Sequence, residues 1–236
     1  MPSTSQTSNA LPAYVQISEL LIRDISAGRL MDGERLPPER EMAKSLSTSV
    51  GTLRKALAIL VEKRLLERIQ GSGNYVRHGG DGDAIYAMFR LELLAGGGLP
   101  RAELLDVATL DKPTDLAVFG QSGRATRIRR LRYLNDTMIG LEEIWLDESV
   151  GVLTKASISD SLYYSYQKHL GFWISRAVDR VSIGAVPQWS PTKFAKPIGA
   201  VTGYIERLSW ASAPEPIEFS RTWFDTDRAQ YVQRLK

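Results

Sequence analysis

The run GERLPPEREMAKSLSTSVGTLRKALAILVEKRLLERIQGSGNYVR, residues 33–77, constrains the fold more than any other stretch. Pro37 and Pro38 cannot lie inside a helix but can open one, and Glu39 and Glu41 suit the positive end of its dipole. Met42, Ala43 and Leu46 then share an inward face, where the small Ala43 lets a second helix cross closely. Ser47, Thr48 and Ser49 supply a polar turn and an N-cap. Beyond it Leu53, Leu57 and Leu60 repeat at helical spacing, with Arg54 and Lys55 exposed beside them. Two short helices joined by such a turn predict a helix-turn-helix. LLERIQGSGNYVR then alternates around a glycine-bearing turn, the pattern of a hairpin, and a hairpin in that place is a wing. Gly71 and Gly73 permit positive φ and close backbone approach to another molecule, with a plain tight turn as the alternative.

Upstream, Tyr14, Ile17, Leu21 and Ile25 mark one face of a further helix, with Gly28 as its stop. Residues 1–10 are Ser/Thr/Asn-rich and read as a disordered tail; they lack the plan of a signal peptide. Residues 78–83, HGGDGD, read as a linker, with His78 a linker residue. The predicted organisation is therefore a first domain at 11–77, the linker, and a second domain at 84–236. Charge divides at the same place. Residues 1–78 carry 11 Lys+Arg against 8 Asp+Glu, and residues 79–236 carry 19 of each. A basic module joined to a neutral one fits a nucleic-acid reader attached to something else. No apolar stretch approaches the ~18 residues of a membrane span, and with no cysteine in the chain thiolate chemistry and disulfides are excluded. The cytoplasm is the expected compartment.

In the second domain TRIRRLRYL and MIGLEEIWL read as two strands around the turn signal Asn135-Asp136. SLYYSYQKHLGFWI reads as a helix ending near Gly171 and then an extended run. YIERLSWASAPEPIEFSRTWF reads as a hairpin turning at Pro214–Pro216. The segment Pro187–Pro197, with Trp189, Lys193 and Lys196, fits no pattern. Trp145, Phe172, Trp173, Trp210 and Trp223 read as core.

From LPAYVQI through LPPEREMAKSLSTSVGTLRKALAILVEKRLLERIQGSGNYV to Val76, the first domain resembles the DNA-binding signature of the GntR family of bacterial regulators. The resemblance implies a winged helix-turn-helix on double-stranded DNA, with the recognition helix starting near Val50 and entering the major groove. Thr52 and Arg54 would lie on its DNA-facing side, where an arginine can present two donors to guanine or clamp a phosphate. Arg40 matches a family arginine that contacts DNA; a salt bridge to Glu39 or Glu41 is its structural alternative. Arg68, Gln70, Gly71, Ser72 and Gly73 resemble the wing tip, and Lys44 and Lys55 would meet phosphates if they reach DNA. Many family members have arginine and threonine where this chain has Val50 and Gly51. Valine cannot hydrogen-bond a base but can pack on a thymine methyl, so the operator is expected to differ from the common one.

RRLRYLNDTMIGLEEIWLD, SLYYSYQKHLG, ERLSWASAPEPIEF and DTDRAQY resemble the UTRA effector-binding domain of the histidine-utilisation-repressor branch. The implied fold class is α+β: an N-terminal winged helix-turn-helix joined to an antiparallel-sheet domain similar to chorismate lyase. Arg130 and Arg132, two apart on a strand, project from one face and suit an anion. They match family effector positions, as do Ser161 and Tyr163 at a helix start, Glu142, and Glu218 on a later strand. Most of the five arginines of RATRIRRLR nevertheless read as surface charges or strand-to-strand pairs. The expectation is a ligand-responsive transcription regulator, a repressor and homodimer on a palindromic operator, released by a small anionic metabolite. No membrane partner, cofactor, metal or catalytic residue is expected. The alternatives are a constitutive dimeric DNA-binding protein without effector and a lyase-like enzyme. Against an enzyme stand the absence of paired histidines, since His169 is alone in its domain, and the lack of a P-loop ending after Gly96–Gly98.

Overall fold

The computed structural model describes residues 12–26, 29–77, 88–159 and 161–234. The expected tail at 1–10, the stop at Gly28 and the linker at 78–83, His78 included, lie outside the described residues.

The first domain comprises α1 (Ala13–Ser26), α2 (Glu39–Ser45), α3 (Val50–Glu62) and the hairpin β1 (Leu66–Ile69) with β2 (Gly73–Val76). Ile17, Leu21 and Ile25 of α1 are buried with Met42, Ala43, Leu53, Leu57 and Leu60 in one core, as the helical spacing predicts; Ile22 joins them. Ser49 caps α3, its Oγ accepting from Thr52 N at 3.1 Å. The hairpin turns through Gly71 at φ +75° and Gly73 at φ +139°, conformations that carry strain for any residue with a Cβ. Residues 34–36 add an edge to it: Val76 N donates to Glu34 O and Leu36 N to Asn74 O, both at 2.9 Å.

The second domain is built on an antiparallel sheet in the order β4 (Pro100–Asp111), β5 (Arg124–Leu134), β6 (Thr137–Asp147), β9 (Glu218–Phe224), β8 (Val201–Trp210), β7 (Arg176–Ala185). β3 (Leu91–Leu93) pairs with β10 (Ala229–Tyr231) as a separate ribbon. The predicted Asn135-Asp136 turn joins β5 to β6, with Asn135 at φ +53°. Helix α4 (Leu162–Leu170) starts at the Ser161 cap and stops at Gly171 in the left-handed region. One sheet face packs Ile128, Ile144 and Leu146 against Leu162 and Tyr166 of α4. Farther along, the β3–β10 ribbon packs with Leu134, Ile205 and Phe224.

The segment Pro187–Pro197, which fits no sequence pattern, covers part of the opposite face. Phe194 is buried there with Leu131, Leu141 and Trp223, and Trp189 meets Trp223 edge-on at 5.7 Å between centroids. Lys193 pairs with Glu103, and Lys196 with Asp225 and Asp227. Among the aromatics read as core, Trp145 and Trp223 are buried, whereas Phe172, Trp173 and Trp210 are only half-buried.

Candidate functional site

On the first domain, Arg54 and Lys55 stand exposed on α3, opposite the buried Leu53, Ala56 and Leu57. Thr52 is half-buried, its Oγ1 2.8 Å from Ser49 Oγ. Arg68 and Gln70 are exposed on the hairpin, Ser72 and Gly73 are half-buried, and Ser72 Oγ lies 2.7 Å from Tyr75 Oη. A groove of about 530 Å³ runs between the α2 entry and the wing, lined by Glu39, Arg68, Gln70, Gly71, Ser72 and Gly73 among others.

One carboxylate ties these parts together. Glu39, first in α2, accepts from Arg54 Nε at 2.6 Å and from Arg68 Nη2 at 3.0 Å. The pairing weighed for Arg40 is therefore not formed: Arg40 and Lys44 are exposed on α2, and neither makes an ion pair among the described residues. Val50 is half-buried and packs in part against the core of the domain.

On the second domain, strand alternation decides which side chains share a face. Arg130 of β5 lies opposite Glu142 of β6; Ile144 of β6 lies opposite Ser220 of β9, which faces Arg207 of β8. Arg207 in turn faces Asp179 of β7, and Glu218 of β9 faces Ser209 of β8. Between α4 and the β3 end of this face is a cavity of about 60 Å³. Its lining brings together Arg130, Arg132, Glu142, Ser161, Tyr163 and Glu218, the six residues singled out in sequence, with Phe89, Ile144, Leu162, Arg207 and Ser220. Arg207, Ser220 and Phe89 were not foreseen. An adjoining cavity of about 40 Å³ shares Phe89, Glu142, Arg207 and Ser220 and extends to Arg90 and Tyr231.

The charges are closely matched. Arg130 donates from Nε and Nη2 to Glu142 Oε2 at 3.0 and 2.5 Å, and Arg132 Nη1 lies 3.7 Å from the same oxygen. Arg207 makes a fork to Asp179, Nε to Oδ1 at 2.6 Å and Nη2 to Oδ2 at 2.7 Å. Burial alone would raise the Glu142 carboxyl, but Arg130 and Arg132 outweigh it and hold it below the usual carboxylate range. Glu218 goes the other way. Burial pushes it up, against the hydroxyls of Tyr166 and of Ser209, the latter donating to Oε1 at 2.8 Å. Burial and Glu218 also push the Tyr163 hydroxyl up to about 12. Ser161 Oγ accepts from Tyr164 N at 3.4 Å, so its first duty is to cap α4.

The geometry is thus an exposed basic helix and wing on one domain and a small cavity with three guanidiniums on the other. Residues 13–76 match the family described as bacterial regulatory proteins, gntR family, and residues 95–230 match the UTRA domain. The chain is 52% identical to the HTH-type transcriptional regulator SmoD of Agrobacterium fabrum, over 98% of this chain and 99% of that one. The chain belongs to the GntR family. This GntR-family protein is a DNA-binding transcription regulator carrying a UTRA effector domain, and not an enzyme. It is also similar to the transcriptional repressor NagR of Bacillus subtilis, 27% identical over 95% of each chain. A third relative is MngR of Escherichia coli (strain K12), the mannosyl-D-glycerate transport/metabolism system repressor, 26% identical over 94% of this chain and 95% of that one. The fold is shared with the solved YydK of Bacillus subtilis, at TM-score 0.52 and 18% identity over 96% of this chain and all of that one. A ligand-binding domain from Bordetella bronchiseptica superposes at TM-score 0.54 and 20% identity, over 62% of this chain and 96% of that domain. No helix among the described residues is long and apolar enough to cross a membrane.

Proposed function

We propose that this GntR-family regulator is a cytoplasmic repressor that binds a palindromic operator as a homodimer and is released by a small anionic metabolite. The observation that carries this reading is the convergence of Arg130, Arg132 and Arg207 with the Ser161, Tyr163 and Ser220 hydroxyls in one cavity. Guanidiniums offer forked donors to a carboxylate, phosphate or similar anion, and hydroxyls complete the orientation. Two relatives with comparable coverage are named as repressors, which supports the sign of regulation. Arg54 and Arg68 would exchange Glu39 for DNA: Arg54 reads the major groove, and Arg68 with the wing tip Gln70–Gly73 rests on backbone or minor groove. Arg40, Lys44, Thr52 and Lys55 complete the footprint.

Effector and operator then compete through linked equilibria, so the factor by which the effector weakens operator binding equals the factor by which operator weakens effector binding. The test is fluorescence anisotropy with DNA from upstream of the protein's own gene, at several salt concentrations. Sequence-selective binding with steep salt dependence, weakened by ~1–3 kcal/mol in Arg54→Ala, supports the reading. Small anions that release wild type from that DNA but not Arg132→Ala assign the cavity. Equal, weak binding of wild type and Arg54→Ala to any duplex overturns the assignment of Arg54.

A further inference from the structure

Two guanidiniums from different domains meet the ring of Phe89. The Cζ of Arg132, in the cavity, lies 4.8 Å from the ring centroid, and the Cζ of Arg23, on α1 of the DNA-binding domain, lies 5.7 Å from it. Arg23 is no ordinary helix-surface arginine. It is 1% exposed and donates from Nη1 to Gly98 O at 2.9 Å, while its Nη2 has no hydrogen-bond partner among the described residues. Burial lowers its pKa in spite of Asp24 and Glu92 nearby. A second contact crosses the same boundary. Arg29 Nη1 lies 3.4 Å from Oε2 of the buried Glu92, which Arg234 also grips at 2.6 and 3.1 Å.

We propose that Phe89 is the positioning residue through which the DNA-binding domain reads the state of the cavity. The ring is a wall of that cavity and, at the same time, an electron-rich surface for a buried cation of α1. An anion on Arg132 competes with the ring for that guanidinium. A cavity of about 60 Å³ also admits only a few atoms before the ring must move. Either event changes the surface on which Arg23 rests. Because Arg23 is desolvated, it cannot turn to water without α1 lifting from the second domain, so a small motion in the cavity becomes a choice between docked and undocked positions. Phe89 has no counterpart in the charge pattern of the site: its role lies in touching both domains.

The inference rests on the reading of the cavity as the effector site, but the link itself is testable without any ligand. Amide hydrogen exchange of the full ligand-free chain is compared for wild type, Arg132→Gln, Phe89→Leu and Phe89→Tyr. Arg132 belongs to β5 of the second domain, yet Arg132→Gln should speed exchange in residues 13–26 by about five- to tenfold, as expected when one desolvated cation–π support is weakened. Phe89→Leu should do the same, the double variant no more than Phe89→Leu alone, and Phe89→Tyr should keep wild-type protection. Should Arg132→Gln loosen the whole second domain, seen as fast exchange in β5 and β6, Arg132→Lys replaces it. Lysine keeps the charge, lacks the planar face, and is expected to act in the same direction. Wild-type protection of α1 in the folded Arg132 variant, or additive effects in the double variant, overturns the link. A failed effector screen with the exchange result intact would overturn only the assignment of the cavity.

Discussion

Glu142 and Glu218 sit on adjacent strands, on the same sheet face, and their environments drive them apart. Glu142 shares two guanidiniums and is held below the ordinary carboxylate range; Glu218 is buried among neutral hydroxyls and is pushed above it. An unfolded glutamate loses its proton near 4.5, and folded Glu218 loses it later. Between those two values each rise in pH therefore favours the unfolded chain, and the cost stays constant above the folded value. Glu218→Gln has no proton to lose. Its stability relative to wild type should improve as pH climbs from 4.5 through the raised pKa and then level off. Urea midpoints followed upward from pH 4.5 check this, and a difference that changes nowhere above 4.5 would rule it out. Glu142 contributes in the opposite sense: its pairing is present above the ordinary carboxyl range and is lost as pH falls through its lowered value. The sequence exposed half of this constellation. Arg130 and Arg132 stand two apart on an evident strand, and Ser161 opens an evident helix. Arg207, Ser209 and Ser220 were equally periodic in ERLSW and EFSRTW, but which face they join depends on pairing with strands far away in the chain. Phe89 follows the linker in a stretch with no period at all.

Among the elements, α3 shows how local chemistry aims a reading surface. Ser49 closes its first turn, and Thr52 is held both through its amide and through its hydroxyl. Ser49→Ala should cost ~1 kcal/mol of stability, the usual value for losing such a cap. Operator affinity should fall with it, because the freed turn carries Thr52, two residues before Arg54. Thermal unfolding and anisotropy on the same preparations check the pair of effects, and Ser49→Asp, which caps equally well, should restore the stability. An unchanged melting temperature in Ser49→Ala would leave the cap without the role assigned to it. The helix ends were legible because Pro38, Ser49, Ser161 and Gly171 act within a few residues of themselves. The segment Pro187–Pro197 was not legible, since its Trp189 and Phe194 are placed by the sheet they cover and follow no period of their own. The ion-pair partners of Glu39 were not legible for the same reason: Arg54 and Arg68 lie 15 and 29 residues away.

At the scale of the whole molecule the sheet has two edges of different character. β4 carries Arg101, Glu103, Asp106 and Asp111 along its length, the kind of charge that discourages pairing with another strand. β7 is charged only in its first half; the run Val181–Ala185 has no charge, and Ile183 is 78% exposed beside Val201 at 68%. A long edge with free backbone groups and exposed β-branched side chains is costly for a monomer and useful for a dimer. For the proposed two-fold dimer we place the interface at this end of β7, paired antiparallel with its symmetry mate. Ile183→Lys places two like charges near that axis. It should shift the protein from dimer to monomer in sedimentation at micromolar concentration while leaving the melting of the isolated protomer within about 0.5 kcal/mol, as for other exposed positions. Operator affinity should drop by about a hundredfold or more, because each half-site is then bound without the effective concentration supplied by its twin. The half-site alone, on a short duplex, should be bound equally by both proteins. A variant that remains dimeric and grips the operator as wild type does would move the interface elsewhere on the second domain, and β7 would then be an edge left uncovered for some other reason.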